Sequence, residues 1–446
     1  MEVIGAGDAI FHRQLSRLSL PRLEEIRDFI KSADMAYVNF EMVTPSLPVT
    51  PSATPIAMRV GSPPWTATEL QMLGFNLFGL ASNHTDDYGS AGLLDTIREF
   101  DARGITFAGS GPNLERARMP AYLDTPSGRV ALICATSSGA EQGLASNGAG
   151  MVADRPGHNP LRFRTEYRLQ DDLYNELLRI DEALGSAATT RYMLNLGMFP
   201  GLDVRDDSVT RFLGKRFVRA ESSEIVTTPR ADDVEQISRW VYEARRSADY
   251  VIVGLHSHEG AADGWNIDQA AGFVPLAARA FVDAGADVVF GHGPHRMRGI
   301  EIYRDKPIFY SLGNFLFQDE GFNIIDPEIY SQFNLKVGAT PADFHDWRGE
   351  WPDGRKRGFH SSPPFWYSVI ARCAFGDHGC TEVRLYPIDM KLAERRLVRG
   401  IPEFADADTA KHVLAEITEL SKAYGTSIET VDDGGRGPYG IIAINR

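Results

Sequence analysis

Short apolar runs, each ending in a cluster of polar residues, constrain the fold of this chain more than any other feature. The run at 35–41 ends at Glu41, the run at 249–255 is followed by His-Ser-His-Glu, and the run at 288–290 by Gly-His-Gly-Pro-His. Runs of this length, bounded by turn residues, predict buried strands. Segments with apolar residues at helical spacing separate them. The alternation therefore predicts a layered α/β fold in which helices flank β-sheets.

The predicted elements divide the chain into a core, two inserted segments and a C-terminal part. Helices are predicted at 21–33, 66–75, 89–104, 170–185, 232–248, 268–285 and 406–424. Strands are predicted at 2–7, 35–41, 76–81, 105–109, 249–255, 287–290, 366–375 and 381–388, with a hairpin at 121–135. Residues 1–318 are interpreted as the core, with an insertion at 186–230. Residues 319–365, rich in aromatic residues and proline, are interpreted as an insertion or lid. Residues 366–446 then complete the same domain.

Composition limits the partners of the chain. Its formal net charge is -14 and it has no basic block, so nucleic acid is not an expected partner.

Cys134, Cys373 and Cys380 lack metal-ligand spacing, and we expect reduced thiols, although Cys373 and Cys380 could face each other across a turn. The sequence shows neither a signal peptide nor a membrane segment, so we expect a cytoplasmic protein. A homodimer is one assembly open to it.

Potential metal ligands follow the predicted strands at several places. They are Asp8, Glu41, Asn83, His84, His256, His258, His292 and His295. Ligand sites of open α/β sheets lie at the carboxyl ends of strands, so we expect these side chains to meet. Carboxylate, carboxamide and imidazole together suit Mn²⁺, Fe or Zn²⁺ and not a thiolate site.

Each of these residues also has a structural interpretation. Asp8 could cap a turn, Glu41 could form an ion pair, Asn83 could occupy a left-handed turn position, and His258 could be a buried structural histidine. Any one of these interpretations competes with metal binding. However, all of these structural interpretations would have to hold together at successive strand ends, which explains the pattern less well than metal binding does.

These residues lie in segments that resemble the CapA family of poly-γ-glutamate capsule proteins, which are related to calcineurin-like metallophosphoesterases. The matching segments are GDAIF at 7–11, NFE at 39–41, the segment 82–111 that begins SNHTDDYGSAGLL, LHSHEG at 255–260, and the segment 285–317 that begins GADVVFGHGPH. The resemblance implies a calcineurin-like metallophosphatase fold with insertions. It also implies a site for one or two divalent transition-metal ions, with Mn, Fe and Zn as candidates.

The resemblance assigns roles to individual residues. It implies the metal ligands Asp8, Glu41, Asn83, His256, His292 and His295. It implies His84 as an acid beside the scissile bond, with Asp87 orienting it. His258 is an additional candidate, as a ligand or as a catalytic acid or base. Calcineurin-like enzymes carry a histidine two residues after the first aspartate, where this chain has Ile10, so one metal position is expected to lack protein ligands.

Three further residues match the last segment of the family pattern. Glu301, Ser311 and Asn314 are interpreted as shaping the site from behind.

Two classes of function follow. In the first, the protein is a metal-dependent hydrolase in which metal-bound hydroxide attacks an amide, γ-glutamyl or related, or a phosphoester, and His84 or His258 protonates the leaving group. The substrate would be a small or oligopeptide-like anion, selected by residues 319–365. Four cations there could meet its carboxylate or phosphate: Arg348, Arg355, Lys356 and Arg357. The alternative is a non-catalytic, metal-binding accessory protein of poly-γ-glutamate capsule synthesis or export.

Overall fold

Two large β-sheets form the centre of the protein. The computed structural model describes residues 1–53, 58–198, 207–376, 379–432 and 434–444. In these residues sheet I has ten strands, Glu2–Ile10, Met35–Phe40, Leu77–Gly79, Thr106–Ala108, Asn314–Phe317, Tyr367–Gly376, Gly379–Asp389, Glu403–Phe404, Glu429–Val431 and Tyr439–Ala443. Sheet II has six strands there, Ala121–Thr125, Gly128–Thr136, Tyr250–His256, Val288–His292, Met297–Tyr303 and Lys306–Leu312.

Helices cover the outer faces of both sheets. Those over sheet I are Pro21–Lys31, Trp65–Leu73 and Gly89–Ala102, and those over sheet II are Ala231–Arg245 and Phe273–Asp283. Ala407–Lys422 packs into the core between the sheets. The remaining helices of the described chain are Leu114–Arg118, Asp171–Ala183, Ser186–Asn195, Pro327–Gln332 and Pro341–Gly349. The predicted layered α/β fold, with sheets flanked by helices, is confirmed.

Side chains alternate between the two faces of the second strand of sheet I, and its polar side chains face sheet II. Val38 packs under the outer helices, whereas Tyr37 belongs to the core between the sheets. Successive side chains of a strand point to opposite faces, so Asn39 and Glu41 continue on the side of Tyr37. The same strand therefore supplies core residues outward and site residues inward.

A close backbone contact holds the first strand against the strand Asn314–Phe317, which runs parallel to it. A Cβ atom on Gly7 would lie 1.8 Å from the carbonyl oxygen of Gly313, so no side chain fits there. Gly313 has a φ of +77°, which favours glycine. Asp8 N donates a hydrogen bond to the same carbonyl at 3.0 Å. This contact positions Asp8 at the inner rim of sheet I.

A separate small sheet lies in the middle of the chain. Its four described strands are Phe163–Leu169, Val209–Phe212, Lys215–Arg219 and Glu224–Pro229. The helix predicted at 170–185 is present as Asp171–Ala183. Residues 186–230 thus share a sheet with 163–169, and their assignment as an insertion stays a prediction. A two-stranded sheet joins Ser110–Gly111 to Gly157–His158.

Residues 319–365 contain more regular structure than their sequence suggested. Pro327–Gln332 and Pro341–Gly349 are helices, and the second begins with a reciprocal capping box between Thr340 and Asp343. Their role as a lid or insertion stays a prediction.

Two smaller predictions can also be compared with the structure. The cysteines Cys134, Cys373 and Cys380 are buried free thiols, as expected. Within the described ranges, none of the helices has the length and apolar character required to cross a lipid bilayer.

Candidate metal centre

The predicted site residues converge at one buried place between the two sheets. Sheet I contributes Asp8 and Glu41, the turn after Leu77–Gly79 contributes Asn83, His84 and Asp87, and sheet II and its loops contribute His256, His258, His292 and His295. Apart from Asn83, each of these side chains is at least nine-tenths buried. Strand ends from both sheets thus meet, as the sequence predicts.

Asp8, His256 and His292 form the first set of potential ligands, with one ligand atom from each within 4.8 Å of the others. Oδ1 of Asp8 lies 3.8 Å from Nδ1 of His256 and 3.7 Å from Nδ1 of His292, and these two nitrogens are 3.1 Å apart. The distances to Asp8 are too long for hydrogen bonds. They match two atoms that each lie about 2.1 Å from a shared ion, which places them about 3–4 Å apart.

Glu41, His258 and His295 form the second set. Oε1 of Glu41 lies 3.5 Å from Nε2 of His258, and Oε2 lies 3.8 Å from Nδ1 of His295. Within the described chain neither oxygen of Glu41 has a hydrogen-bond partner, and the side chain is fully buried. A buried carboxylate without partners is strongly destabilising unless a cation neutralises it. The donor atoms of both sets therefore fit divalent ions.

Asn83 lies between the two sets. Its Oδ1 atom is 3.0 Å from Nε2 of His256 and 3.1 Å from Nε2 of His258. His256 thus directs one ring nitrogen toward the first set and the other toward Asn83. A carboxamide oxygen in this position can join the ligands of either ion, as the resemblance implies.

Burial shifts the pKa values of the carboxyl groups and of the imidazoles in opposite directions in both sets. It raises the pKa of Asp8 well above its usual range, with a further contribution from the charge of Glu41, and raises the pKa of Glu41 to about 8. It lowers the pKa of His292 to about 3 and that of His258 to about 4. Neutral imidazole is the form that binds metals. The histidines are therefore held in the form that binds metals, and a bound cation would favour ionisation of the two carboxyl groups.

Supporting contacts that sequence reasoning missed orient the first set. Asn39 Nδ2 donates to Asp8 Oδ1 at 2.8 Å, and Gly293 N donates to Asp8 Oδ2 at 2.8 Å. The hydroxyl of Tyr37 lies 2.7 Å from Nε2 of His292. Contacts of this kind fix which ring nitrogen faces a metal. The sequence did contain a signal for Tyr37 and Asn39, because residues 37, 39 and 41 are spaced by two and therefore share one face of the strand.

His258 occupies a ligand position in the second set. Its Nδ1 atom lies 2.6 Å from Oδ1 of Asn266, and its ring stacks on Trp265 with 4.6 Å between centroids. These contacts leave Nε2 facing Glu41. Of the two roles open to His258, ligand or acid–base catalyst, the geometry favours ligand. His258 thus adds an imidazole to the second set of potential ligands.

The three residues interpreted as shaping the site from behind differ in their distance from it. Asn314 reaches the site, because its Oδ1 atom lies 3.0 Å from Nδ1 of His295. Ser311 accepts a hydrogen bond from Gly313 N at 3.0 Å and stabilises that turn. Glu301 pairs with Arg279 at 2.9 Å, in neither of the two ligand sets.

His84 and Asp87 form a pair at the rim of the site. Nδ1 of His84 lies 2.8 Å from Oδ2 of Asp87, and Nε2 lies 4.0 Å from Oε1 of Glu41. Burial alone would lower the pKa of His84, but attraction to Asp87 and Glu41 outweighs it and raises the pKa. The His84 side chain is 10% exposed, whereas that of His256 is fully buried. His84 is thus a histidine at the rim of the site whose pKa lies above its usual value and whose side chain is partly accessible from outside.

Comparison with known proteins identifies relatives of the whole chain. A family model described as bacterial capsule synthesis protein PGA_cap matches residues 2–319. The chain is 31% identical over 441 residues to a Sinorhizobium fredii protein named as uncharacterized, which covers 97% of this chain and 91% of that protein. It is 25% identical over 275 residues to the capsule biosynthesis protein CapA of Bacillus anthracis, covering 62% and 48% of the two chains.

A third relative carries a different name. The chain is 26% identical over 293 residues to a probable polyglutamine synthesis accessory protein of Mycobacterium tuberculosis, covering 65% and 57% of the two chains. Together the matches confirm the resemblance to CapA proteins and the metallophosphoesterase-like fold that it implies. The chain belongs to the PGA_cap family of bacterial capsule synthesis proteins.

Proposed function

We propose that the protein is a metal-dependent hydrolase that cleaves an amide bond, γ-glutamyl or related, or a phosphoester in a small or oligopeptide-like anion. The position of His84 carries this proposal. It is held by Asp87 at 2.8 Å, is accessible from outside, and belongs to neither ligand set. A histidine that is oriented by a carboxylate beside the ligand sets, and belongs to neither of them, is suited to general acid catalysis.

The two ligand sets supply the electrophilic part of the site. Asp8, His256 and His292 would hold one divalent ion, and Glu41, His258 and His295 a second. Ions bound there would lower the pKa of a coordinated water and polarise the bond to be cleaved. Mixed oxygen and nitrogen donors are compatible with Mn²⁺, Fe²⁺ and Zn²⁺.

His84 acts as the general acid in this proposal. Asp87 accepts the proton of Nδ1, which leaves Nε2 directed toward Glu41 and the second set. Its raised pKa keeps the ring protonated closer to neutral pH. Nε2 then donates its proton to the leaving nitrogen or oxygen as the scissile bond breaks.

Metal content and turnover, measured on the same samples, test the proposal. Wild type is compared with a His292→Ala, His295→Ala double variant and with His412→Ala, whose side chain is 65% exposed and belongs to neither ligand set. Each protein is assayed with bis(p-nitrophenyl) phosphate and with a panel of γ-glutamyl and other amides. We expect the double variant to lose metal and turnover, and His412→Ala to keep both.

A second pair of variants separates catalysis from metal binding. His84→Ala and Asp87→Asn should keep the metal content of wild type while turnover falls by about 10²–10⁴-fold, the usual contribution of general acid catalysis. The substrate panel that is turned over identifies the bond. Unchanged turnover in His84→Ala would refute the role given to His84.

The second candidate is a non-catalytic, metal-binding accessory protein of poly-γ-glutamate capsule synthesis or export, and the Mycobacterium tuberculosis relative is named a probable polyglutamine synthesis accessory protein. Metal binding without turnover of either panel would favour it. Failure to bind Mn²⁺, Fe²⁺ or Zn²⁺ after reconstitution would refute both candidates. A cytoplasmic location and a homodimer belong to the proposal and rest on the sequence alone.

A further inference from the structure

Residues 319–365 enclose a cavity of about 550 Å³ beside the candidate metal centre. Its aromatic lining consists of Phe333, Trp347, Trp351, Phe359 and Phe365. Small-molecule sites have volumes of about 300–1,000 Å³, mostly apolar walls and a few polar groups that fix orientation. This cavity has both the size and the lining of such a site.

The cavity shares a wall with the second ligand set. The ring of Phe359 lies 5.3 Å from the His295 imidazole, measured between centroids. Trp366 Nε1 donates to the carbonyl oxygen of Phe359 at 2.8 Å, and Asn314 Nδ2 donates to that of Phe365 at 3.0 Å. The ring of Phe359 is therefore the part of the cavity wall that adjoins the metal centre.

Arg357 is a preorganised cation in this cavity. Its guanidinium carbon lies 3.9 Å from the ring centre of Trp347 and 4.0 Å from that of Trp351. Stacking on aromatic faces leaves the N–H groups of a guanidinium directed outward in its plane. Among the residues that the structure describes, no carboxylate forms an ion pair with Arg357. Its five donors are available to an anion.

The other charges of the cavity are paired within the protein. Asp319 lies 3.4 Å from Arg348, and Glu320 lies 2.9 Å from Arg399. These pairs leave Arg357 as the cation that an anionic ligand would meet.

We propose that the cavity binds one end of the substrate, and that this end is an aromatic amino-acid residue with a free carboxylate. Arg357 binds the carboxylate, and the aromatic walls enclose the ring. The acyl side of the molecule then faces Phe359, the part of the wall that adjoins the metal centre. The link to catalysis rests on the proposed hydrolase function and selects the amide among its two bond types.

Isothermal titration of the metal-free protein tests this assignment. Removing metal with a chelator ensures that a carboxylate cannot bind through the metal centre. The probe is N-acetyl-L-phenylalanine, compared with its C-terminal amide, which lacks the carboxylate, and with N-acetyl-L-alanine, which lacks the ring. We expect the probe to bind at least about tenfold more tightly than either analogue, the contribution of one charge-assisted hydrogen bond or one buried ring.

Two variants of neighbouring arginines provide the matched comparison. Arg357→Gln should weaken binding of the probe about tenfold or more. Arg355→Gln removes an arginine that is 77% exposed and already paired with Asp353, so the Kd should not change. Trp347→Ala should weaken binding, whereas Trp347→Phe, which keeps an aromatic surface beside Arg357, should retain most of it. Circular dichroism verifies that each variant is folded.

Each outcome of these titrations decides the assignment. Equal affinity for the acid and its amide, equal effects of Arg357→Gln and Arg355→Gln, or no binding at millimolar concentration would overturn it. Because binding is measured without metal, its failure is separate from failure of the hydrolase proposal. If the protein binds the probe but turns over no substrate of either panel, the hydrolase proposal is overturned. If it turns over amides but does not bind the probe, the cavity assignment is overturned. In an active enzyme, Arg357→Gln should raise KM for substrates ending in an aromatic residue and leave kcat unchanged.

Discussion

Replacement of Glu41 by glutamine should stabilise the metal-free protein and weaken its stabilisation by metal. Glu41 is fully buried, has no hydrogen-bond partner in the described part of the chain, and has its pKa raised by burial to about 8. Glutamine has nearly the same shape and carries no charge. Its amide group can donate a hydrogen bond, which the carboxylate cannot do.

The magnitude follows from the difference between the pKa values of Glu41 in the folded and unfolded states. The ordinary value is 4.5, so a chain that folds at pH 7 without metal must protonate this carboxyl. At about 1.36 kcal/mol per pH unit, the interval from 4.5 to 7 corresponds to a cost of about 3 kcal/mol. Because the folded pKa is the higher one, the folded state binds more protons between pH 4.5 and about 8. Stability of the metal-free wild type therefore falls as pH rises through this window.

Urea unfolding of chelator-treated protein at pH 5, 7 and 8, followed by circular dichroism, measures the effect. We expect Glu41→Gln to be more stable than wild type by about 3 kcal/mol at pH 7, and by less than about 1 kcal/mol at pH 5. Glu419→Gln, at a site that is 72% exposed, serves as the control with no such dependence. A metal-free Glu41→Gln protein that is less stable than wild type at pH 8, or a difference that does not vary with pH, would refute the reasoning.

Three further predictions concern residues around the site. Tyr37→Phe removes the 2.7 Å contact to Nε2 of His292 and should weaken metal affinity about 10–100-fold, measured by competition with a chelator. Burial lowers the pKa of His158 from 6.5 to about 4, so its contribution to stability is complete above pH 6.5 and lost as pH falls toward 4. His158→Gln should therefore flatten the acid side of the urea-unfolding profile, by about 3 kcal/mol across that window. Gly7→Ala, whose Cβ would meet a backbone oxygen at 1.8 Å, should destabilise the protein by about 3 kcal/mol or more in thermal unfolding, whereas Gly272→Ala, with its nearest neighbour at 3.5 Å, should fold normally.

The local pattern of apolar and polar residues was sufficient to predict the layers of the fold and the strand ends that carry the candidate ligands. Apolar runs and helical spacing report burial directly, so the strands before Glu41 and His256 were predictable. Which ligands belong to the same set could not be predicted from the sequence, because this grouping depends on how one sheet packs on the other. The role of His258 likewise depends on Trp265 and Asn266, which reach it through a loop with no diagnostic spacing.

Other structural elements were not predicted, and one of them had a recognisable signal in the sequence. The helix Pro341–Gly349 begins with Thr340 as its cap and Asp343 three residues later, a recognisable start signal. The small sheet that includes Phe163–Leu169 was missed because its strands pair across two intervening helices. The stacking of Arg357 between two indole rings is a tertiary arrangement that composition alone does not reveal.

The separation of the proposed ligands along the chain has a consequence for protein synthesis. Asp8 accepts a hydrogen bond from Gly293, 285 residues later, and the two histidines nearest that glycine are proposed ligands. At about 5–20 residues per second, a ribosome adds that length on the order of tens of seconds after the first strand. Throughout this interval the growing chain carries carboxylates without most of their imidazole partners. With the proposed ligand sets, metal capture would take place only after translation has passed the last of these histidines, His295.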